Sequence, residues 1–137
     1  MEKWREDGVI EPSDNNYSLA PVLVEKSDGT YSICIEYQDI NAQTVKDAYP
    51  VASMDSILDK LRGAKYISKI DLKNAYLQVP IKQHSKKNTA FTVPGKGGKC
   101  LYQFVTMHFG LTNAPATFYR LVDALFGPEF EPDVFDT

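Results

Sequence analysis

The chain has 137 residues, of which 43% are hydrophobic, and a formal net charge of −3. A chain of this length can form one domain with a hydrophobic core. Its slightly acidic balance is not that of a dedicated nucleic-acid-binding protein, so any contact with nucleic acid would have to come from a local basic surface.

The N-terminal part of the sequence predicts a helix end, an extended segment and a β-hairpin. "MEKWREDG" is typical of a helix that Gly8 terminates, and "VIEPSDNNYSLAP" of extended chain and loop. Two β-rich runs, residues 21–26 and 30–37, flank Asp28-Gly29, a dipeptide that suits the positive φ of a tight turn. In the second run, apolar and polar residues alternate with the period of a half-buried strand.

A helix over "SMDSILDKLRG" is predicted next, with Ser53 as its N-cap and Gly63 after its end. Its helical spacing predicts an apolar face made of Met54, Ile57, Leu58 and Leu61. The following segment, "AKYISKID", is predicted to be a short strand that ends at Asp71.

The C-terminal part predicts two strands and a final helix. "NTAFTV" and "CLYQFVTMHF" are strand-like, and the glycine- and lysine-rich "PGKGGK" between them is typical of an exposed connection. A helix is predicted from Thr112, with Pro115 in its first turn and Gly127-Pro128 at its end. Four residues are expected on its buried face: Phe118, Leu121, Val122 and Leu125. Because helices and strands do not alternate regularly, the order favours an α+β domain.

Cellular location is indicated by the cysteines and the N-terminus. Cys34 and Cys100 lie in apolar strand-like runs without CxxC spacing, which predicts buried free thiols and argues against a zinc site or a disulfide framework. No apolar run approaches the length of a membrane-spanning helix, and the charged N-terminus is not typical of a signal peptide. We therefore expect an intracellular protein of the cytoplasm or nucleus, with no membrane partner.

Asp71, in "SKIDLKNAYLQVP", has two interpretations. As a structural residue, it would cap a short helical turn at "LKNAY". As a functional residue, it would be a magnesium ligand, because Mg²⁺ is usually held by one or two carboxylates together with substrate phosphates. A two-metal site for phosphoryl transfer needs at least two converging carboxylates, and the sequence around Asp71 supplies one.

Two long segments, "KDAYPVASMDSILDKLRGAKYISKIDLKNAYLQVPI" and "KNTAFTVPGKGGKCLYQFVTMHFGLTNAPATFYRLVDALF", carry a family resemblance. They resemble the reverse transcriptase of long-terminal-repeat retrotransposons of the gypsy class, relatives of retroviruses, and the resemblance extends from "GVIEPS" to "EPDVF". It implies the α+β fold of a right-hand polymerase, with fingers at about residues 1–50 and 82–107 and part of the palm at about residues 51–81 and 108–137.

The resemblance also implies a metal site and its ligands. Asp71 matches the first catalytic aspartate, which binds both Mg²⁺ ions, and the backbone carbonyl of Leu72 assists a metal. The implied partners are an RNA or DNA template-primer and a deoxynucleotide. Lys26 matches a lysine that reaches the triphosphate, and Lys73 belongs to the same substrate-binding group. A solvated surface lysine is the structural alternative for Lys26.

Two aromatic residues and a glycine are implied to surround the nucleotide. Tyr76 matches the ring that packs against the sugar and rejects a 2′-hydroxyl by steric exclusion, and Phe109 and Gly110, in "FGLTNAP", match residues beside the nucleotide and template. A place in the hydrophobic core is the structural alternative for both aromatic residues. Gly110 favours a close backbone approach.

The chain also departs from the family pattern. The family's second and third catalytic aspartates belong to a "YxDD" motif, and no adjacent pair of aspartates occurs in these 137 residues. Ser32 and Gln38 stand where arginines are common, Glu36 replaces an aspartate and His108 a proline, and "YPVAS" lacks the proline and arginine of "YPLPR". We therefore expect a reverse transcriptase fragment that lacks polymerase activity on its own.

Two alternatives to the enzyme fragment stay open. One is a decayed or domesticated remnant that binds nucleic acid without catalysis, through a lysine-rich surface at Lys82, Lys86, Lys87, Lys96 and Lys99. The other is a protein-interaction module whose unfinished palm sheet, at residues 66–70, presents an edge for self-association.

Overall fold

The computed structural model describes residues 2–50, 54–95 and 98–127. In chain order its helices and strands are α1 (Glu2–Glu6), β1 (Ile10–Pro12), β2 (Pro21–Glu25), β3 (Tyr31–Ile35), α2 (Gln38–Gln43), α3 (Met54–Leu61), α4 (Gln83–Lys86), β4 (Phe91–Gly95), β5 (Gly98–Phe104) and α5 (Ala114–Leu125). Two short 3₁₀ helices, Ala75–Gln78 and Lys87–Thr89, flank α4.

The central sheet is antiparallel and has the strand order β1-β5-β4. The two predicted strands near the C-terminus are β4 and β5, and they pair in register from Phe91↔Tyr102 to Gly95↔Gly98. The tip of the predicted "PGKGGK" connection, at residues 96–97, lies outside the described residues. On its other edge β5 pairs with β1, which places Ile10 opposite Phe104.

The predicted hairpin is confirmed as β2 and β3, which form a separate two-stranded sheet. Its register runs from Pro21↔Ile35 to Glu25↔Tyr31. The turn uses both predicted residues: Gly29 has a φ of 78°, and the Asp28 carboxylate accepts a 2.9 Å hydrogen bond from the backbone N–H of Thr30. The hydroxyl of Thr30 also donates to this carboxylate, and these bonds hold the pKa of Asp28 below its usual range.

Aromatic rings form the centre of the hydrophobic core. Phe91 and Phe104 are completely buried, and their ring centroids lie 5.1 Å apart. Trp4, which lies on the short helix α1, packs against Phe104 at a ring-centroid distance of 5.7 Å. Gly8 ends the turn after α1 with a φ of 69°, as predicted from its position after the charged segment.

Lys86, predicted to belong to a lysine-rich surface, instead takes part in a polar network on the central sheet. The ammonium group of Lys86 lies 3.1 Å from the carboxylate of Glu11, and only 12% of the Lys86 side chain is exposed. Gln103 donates a 2.8 Å hydrogen bond to the same carboxylate. The hydrogen bond from Gln103, and after it the pairing with Lys86, lowers the pKa of Glu11. Lys86 is therefore neutralised within the fold.

The other members of the predicted lysine surface have different outcomes. Lys82 and Lys87 are exposed. Lys96 and the side chain of Lys99 lie outside the described residues. Both cysteines are free, as predicted, but they are half-buried rather than buried.

The predicted bounds of the helices agree with the structure better than their predicted buried faces do. The helix predicted before Gly63 is α3, and Gly63 has a φ of 92°. Leu61 on its predicted apolar face is half-buried, but Leu58 is 57% exposed. Ser53 and the side chains of Met54 and Ile57 lie outside the described residues.

The predicted buried face of the last helix is partly wrong. Phe118 and Val122 are half-buried, but Leu121 and Leu125 are 37% and 61% exposed. The buried positions of α5 are instead Ala114 and Ala116, at its first turn. The first turn packs closely on its neighbours, whereas the later turns extend beyond the elements described around them.

The strand predicted at residues 64–71 does not form. Residues 64–72 have no helix or strand assignment, and their side chains are exposed, including those of Tyr66, Ile67 and Ile70. A strand requires a hydrogen-bonded neighbour, and every described strand pairs elsewhere. Local β propensity alone therefore did not produce a strand at this position.

Within the described ranges, no helix is long and apolar enough to cross a membrane.

Candidate functional site

The predicted nucleotide-facing segment, Phe109 and Gly110, directly follows a chain crossing. The backbone N–H of Met107 donates to the carbonyl of Val79 at 2.7 Å, and the N–H of Ile81 donates to the carbonyl of Val105 at 2.8 Å. This antiparallel pairing brings the 3₁₀ helix that carries Tyr76 close to the segment that carries Phe109. Both elements therefore lie in the same part of the fold.

His108 supports the ring of Phe109 from beneath. The two ring centroids lie 4.0 Å apart at an interplanar angle of 30°, and Phe109 remains 46% exposed. His108 itself is 1% exposed and also packs on Phe104 at 4.3 Å. Phe109 therefore presents one face to its surroundings, and the core-residue alternative does not describe it.

The protonation state of His108 follows from its hydrogen bond. Its Nδ1 lies 2.8 Å from the carbonyl oxygen of Phe109, which can only accept, so Nδ1 carries the proton. Nε2 is buried and has no hydrogen-bond partner among the described residues. Burial lowers the pKa of His108 to about 4, against a smaller opposite effect of the Phe109 carbonyl.

Gly110 occupies a position that only glycine adopts easily. Its φ is 94°, and a Cβ atom there would lie 3.2 Å from Cδ2 of Tyr37. The Tyr37 side chain is buried at the start of α2, and burial raises the pKa of its hydroxyl. The glycine allows α2 to pack directly against the backbone beside Phe109.

Residues that the sequence did not single out hold this segment in place. The side chain of Asn41 donates to the carbonyl of Gly110 at 2.7 Å and accepts from the N–H of Thr112 at 2.8 Å. The guanidinium of Arg120 on α5 forms a two-bond fork with the carboxylate of Asp47, and this fork lowers the pKa of Asp47. These pairs are separated by about 70 residues, so sequence patterns gave no signal for them.

Tyr76 is half-buried and lies against α5. Its ring meets the ring of Phe118 edge-on, with a centroid distance of 5.6 Å and an angle of 85°. Asn74, two residues before Tyr76, has a left-handed φ of 53° and is the N-cap of the 3₁₀ helix. Tyr76 is thus neither fully in the core nor free, a position compatible with both interpretations of this tyrosine.

Asp71, Leu72 and Lys73 lie in the exposed segment before the 3₁₀ helix. Within residues 2–50, 54–95 and 98–127, no group of three or more metal-ligating side chains could hold an ion. Because Mg²⁺ takes several oxygen ligands, these residues do not by themselves complete a magnesium site. Asp71 does not form a cap hydrogen bond at the 3₁₀ helix either, since that helix starts at Asn74 without a side-chain cap.

Lys26 is exposed at the hairpin turn. Its backbone N–H donates to the carbonyl of Thr30 at 2.7 Å, which leaves the side chain free to extend from the turn. The hydrogen bonds and ring contacts of the described residues join Phe109 and Gly110 to α2, and Tyr76 to α5. They link neither group to Asp71 or Lys26.

Comparison with known proteins identifies the family. The sequence model for reverse transcriptase (RNA-dependent DNA polymerase) matches residues 24–129. The chain belongs to the reverse transcriptase family. The predicted resemblance to gypsy-class retrotransposons is confirmed by relatives in Drosophila melanogaster. The Pol polyprotein of transposon gypsy is 36% identical over 85% of this chain, and that of transposon opus is 33% identical over 90%.

These relatives are much longer than this reverse transcriptase chain. It spans 12% of each of the two Drosophila polyproteins, and 21% of a putative enzymatic polyprotein of Cassava vein mosaic virus that is 30% identical to it. The native protease-reverse transcriptase of prototype foamy virus has a similar fold, with a TM-score of 0.77 and 26% identity over 98% of this chain and 17% of that one. The α+β polymerase-like fold class is thereby confirmed.

The close approach at Gly110 predicts a stability difference between two glycine substitutions. Gly110→Ala and Gly29→Ala both force a positive φ on alanine, but a Cβ at Gly29 meets nothing within 4 Å. We expect Gly29→Ala to cost about 1 kcal/mol and Gly110→Ala about 2 kcal/mol, because the Tyr37 ring must also shift. Urea unfolding of the three proteins measures both losses. Equal losses would show that Tyr37 does not restrict this position.

The buried His108 predicts a pH-dependent stability. Its pKa is about 4 in the folded chain and about 6.5 when unfolded, so the unfolded chain binds more protons between these values. The contribution of this group to stability is therefore constant above about pH 6.5 and falls by about 3 kcal/mol as the pH is lowered to about 4. The measurement is the free energy of unfolding against pH, for wild type and His108→Gln. Parallel curves would contradict the prediction.

Proposed function

We propose that this chain is the part of an RNA-directed DNA polymerase that positions the template and the incoming deoxynucleotide. The observation that carries the proposal is the Phe109–Gly110 segment. One face of the Phe109 ring is supported by His108 while the residue stays 46% exposed. An exposed, rigidly supported aromatic face is suited to stacking against a base, since every base has a π-face.

The neighbouring groups support the same assignment. Gly110 has no side chain and remains exposed beside Phe109 although Asn41 binds its carbonyl, so a ligand can approach this part of the backbone closely. Tyr76 is anchored edge-on by Phe118, so its ring is positioned rather than free to rotate. Lys26 supplies a positive charge on the exposed hairpin tip, where a long side chain can reach a phosphate.

Asp71 is proposed as one of the carboxylates that hold the divalent ions of the reaction, with magnesium as the ion and Leu72 supplying a backbone carbonyl. In such a site the metal ions stabilise the attacking and leaving oxygens of the transferred phosphoryl group. Asp71 is exposed and accessible for this role. The family's other catalytic carboxylates, those of the YxDD motif, are not among residues 1–137, which contain no adjacent aspartates.

A second proposal concerns association between chains. Tyr66, Ile67 and Ile70 are 94%, 66% and 77% exposed. Closely spaced apolar side chains in an unpaired extended segment favour contact with another chain. This observation favours a protein-binding role for residues 66–70 and is independent of the Phe109 segment.

Stacking on Phe109 predicts a specific loss of nucleic-acid binding. Phe109→Ala should weaken binding of a fluorescent primer-template with a single-stranded template overhang by about tenfold or more, because one base–aromatic stack contributes about 1–3 kcal/mol. Tyr66→Ala removes a more exposed aromatic ring outside the segment and should change binding less than about twofold. Fluorescence anisotropy measures both. Equal effects of the two substitutions would contradict the proposal.

The proposed metal role predicts that residues 1–137 alone do not extend a primer. One carboxylate cannot organise two metal ions. The assay is primer extension on an RNA template with magnesium or manganese, with a complete reverse transcriptase as positive control. Products above the no-protein background that disappear in Asp71→Asn would refute this prediction.

The exposed apolar segment predicts concentration-dependent association. Light scattering over a range of concentrations should show oligomers for wild type and fewer for Ile67→Lys/Ile70→Lys, because charge opposes apolar contact. Val45→Lys is the control, since Val45 is 88% exposed in another part of the chain. A wild-type monomer at all concentrations, with a cooperative melting transition, would contradict the proposal.

A further inference from the structure

Two asparagine side chains connect the same pair of chain segments in opposite directions. From α2, Asn41 donates to the carbonyl of Gly110 at 2.7 Å and accepts from the N–H of Thr112 at 2.8 Å. Asn113 makes the equivalent pair of bonds to the segment after α2. It donates to the carbonyl of Val45 at 2.9 Å and accepts from the N–H of Asp47 at 3.0 Å. Each amide thus uses its donor and its acceptor on two backbone groups of the other segment.

The two segments have no strand pairing with each other in the described ranges, so the side-chain amides act where a sheet ladder would otherwise align the backbones. A carboxamide offers a donor and an acceptor side by side, as a peptide group does. The four bonds link residues 66 to 71 positions apart in sequence. They define the position of Gly110 relative to α2 from two directions.

The four hydrogen bonds of Asn41 and Asn113 form a clamp, and an ion pair at Asp47 supports it. Arg120 binds both carboxylate oxygens of Asp47, the residue whose N–H donates to Asn113. The guanidinium also lies 4.7 Å from the ring centroid of Tyr49. Bidentate pairing gives directional as well as electrostatic restraint. Residues 45–49 are therefore attached to α5, and through Asn113 to the loop that leads into it.

We propose that Asn41 and Asn113 are positioning residues that together hold Phe109 and Gly110 in the orientation that receives nucleic acid. Neither amide touches the ligand; each acts through the backbone on either side of the exposed ring. The inference rests on the proposed function for its ligand, a primer-template, and on the four hydrogen bonds for its geometry.

If the two asparagines act as one unit, removing one should loosen the backbone amide bound by the other, which amide hydrogen exchange can measure. Asn41→Ala removes the partner of the Thr112 amide, and if the two asparagines act as one unit it also loosens the Asp47 amide, which Asn41 does not contact. Both amides should exchange with solvent about three- to tenfold faster, the loss expected for one hydrogen bond. The Phe104 amide, which donates to Thr89 Oγ1 at 2.9 Å, should keep its protection and reports that the fold is intact.

A second variant tests the donor of Asn41 separately. Asn41→Asp keeps the acceptor for Thr112 but, when ionised, places a negative charge against the Gly110 carbonyl. Protonation restores a donor, and a hydrogen bond from the neutral acid favours that form. Primer-template binding by Asn41→Asp, relative to wild type at each pH, should be about three- to tenfold weaker at about pH 7.5 and recover toward about pH 5.

Gln43→Glu is the matched control on the same helix, because the hydrogen bond of the Gln43 amide among the described residues goes to the Asp39 carbonyl within α2. It should bind like wild type at both pH values. Asn41→Asp that binds like wild type at about pH 7.5, or that shows no recovery at low pH, overturns the positioning role. An unchanged Asp47 exchange rate in Asn41→Ala overturns the reciprocity. If wild type itself does not bind the primer-template, the proposed function fails and so does the ligand role of the clamp.

Discussion

The burial of Phe104 is the constraint on which the rest of the structure depends. Its ring, at the end of the central strand β5, touches Phe91 on β4, Trp4 after the N-terminus and His108 before the candidate site. Opposite it on β1 stands Ile10, which is also buried. A fully buried aromatic ring contributes through a large apolar area and specific ring geometry. One side chain therefore ties the sheet to the segment that presents Phe109.

Three sets of contacts connect the candidate site to this core. The chain after β5 pairs with the segment at Val79 and Ile81, which aligns it next to the 3₁₀ helix of Tyr76. His108 then packs on the core with one face and supports Phe109 with the other. Asn41 finally holds the backbone of Gly110. Each step uses hydrogen bonds or ring contacts, so the exposed ring is positioned by the protein before any ligand is present.

The two groups of predicted site residues differ in how firmly the rest of the fold holds them. Phe109, Gly110 and Tyr76 lie on elements attached to the sheet or to α5. Asp71, in contrast, lies in an exposed segment without a strand partner in the described ranges. Phe109, Gly110 and Tyr76 are held by ring contacts and hydrogen bonds within this chain, whereas the described ranges contain no group of three or more metal-ligating side chains. The unpaired segment is also where the apolar side chains of Tyr66, Ile67 and Ile70 are exposed to solvent.

Local chemistry in the sequence determined the hairpin at Asp28-Gly29, the helix ends at Gly8 and Gly63, the two strands around "PGKGGK" and the family motifs, because turn residues and period-two alternation act over a few residues. It could not determine whether residues 64–71 form a strand, because a strand exists only if a partner lies alongside it. Nor could it show that Lys86 is neutralised by Glu11, or that Asn41 and Asn113 bind backbone groups about 70 positions away. Those contacts join segments that only the folded chain brings together, so tertiary structure alone decided them.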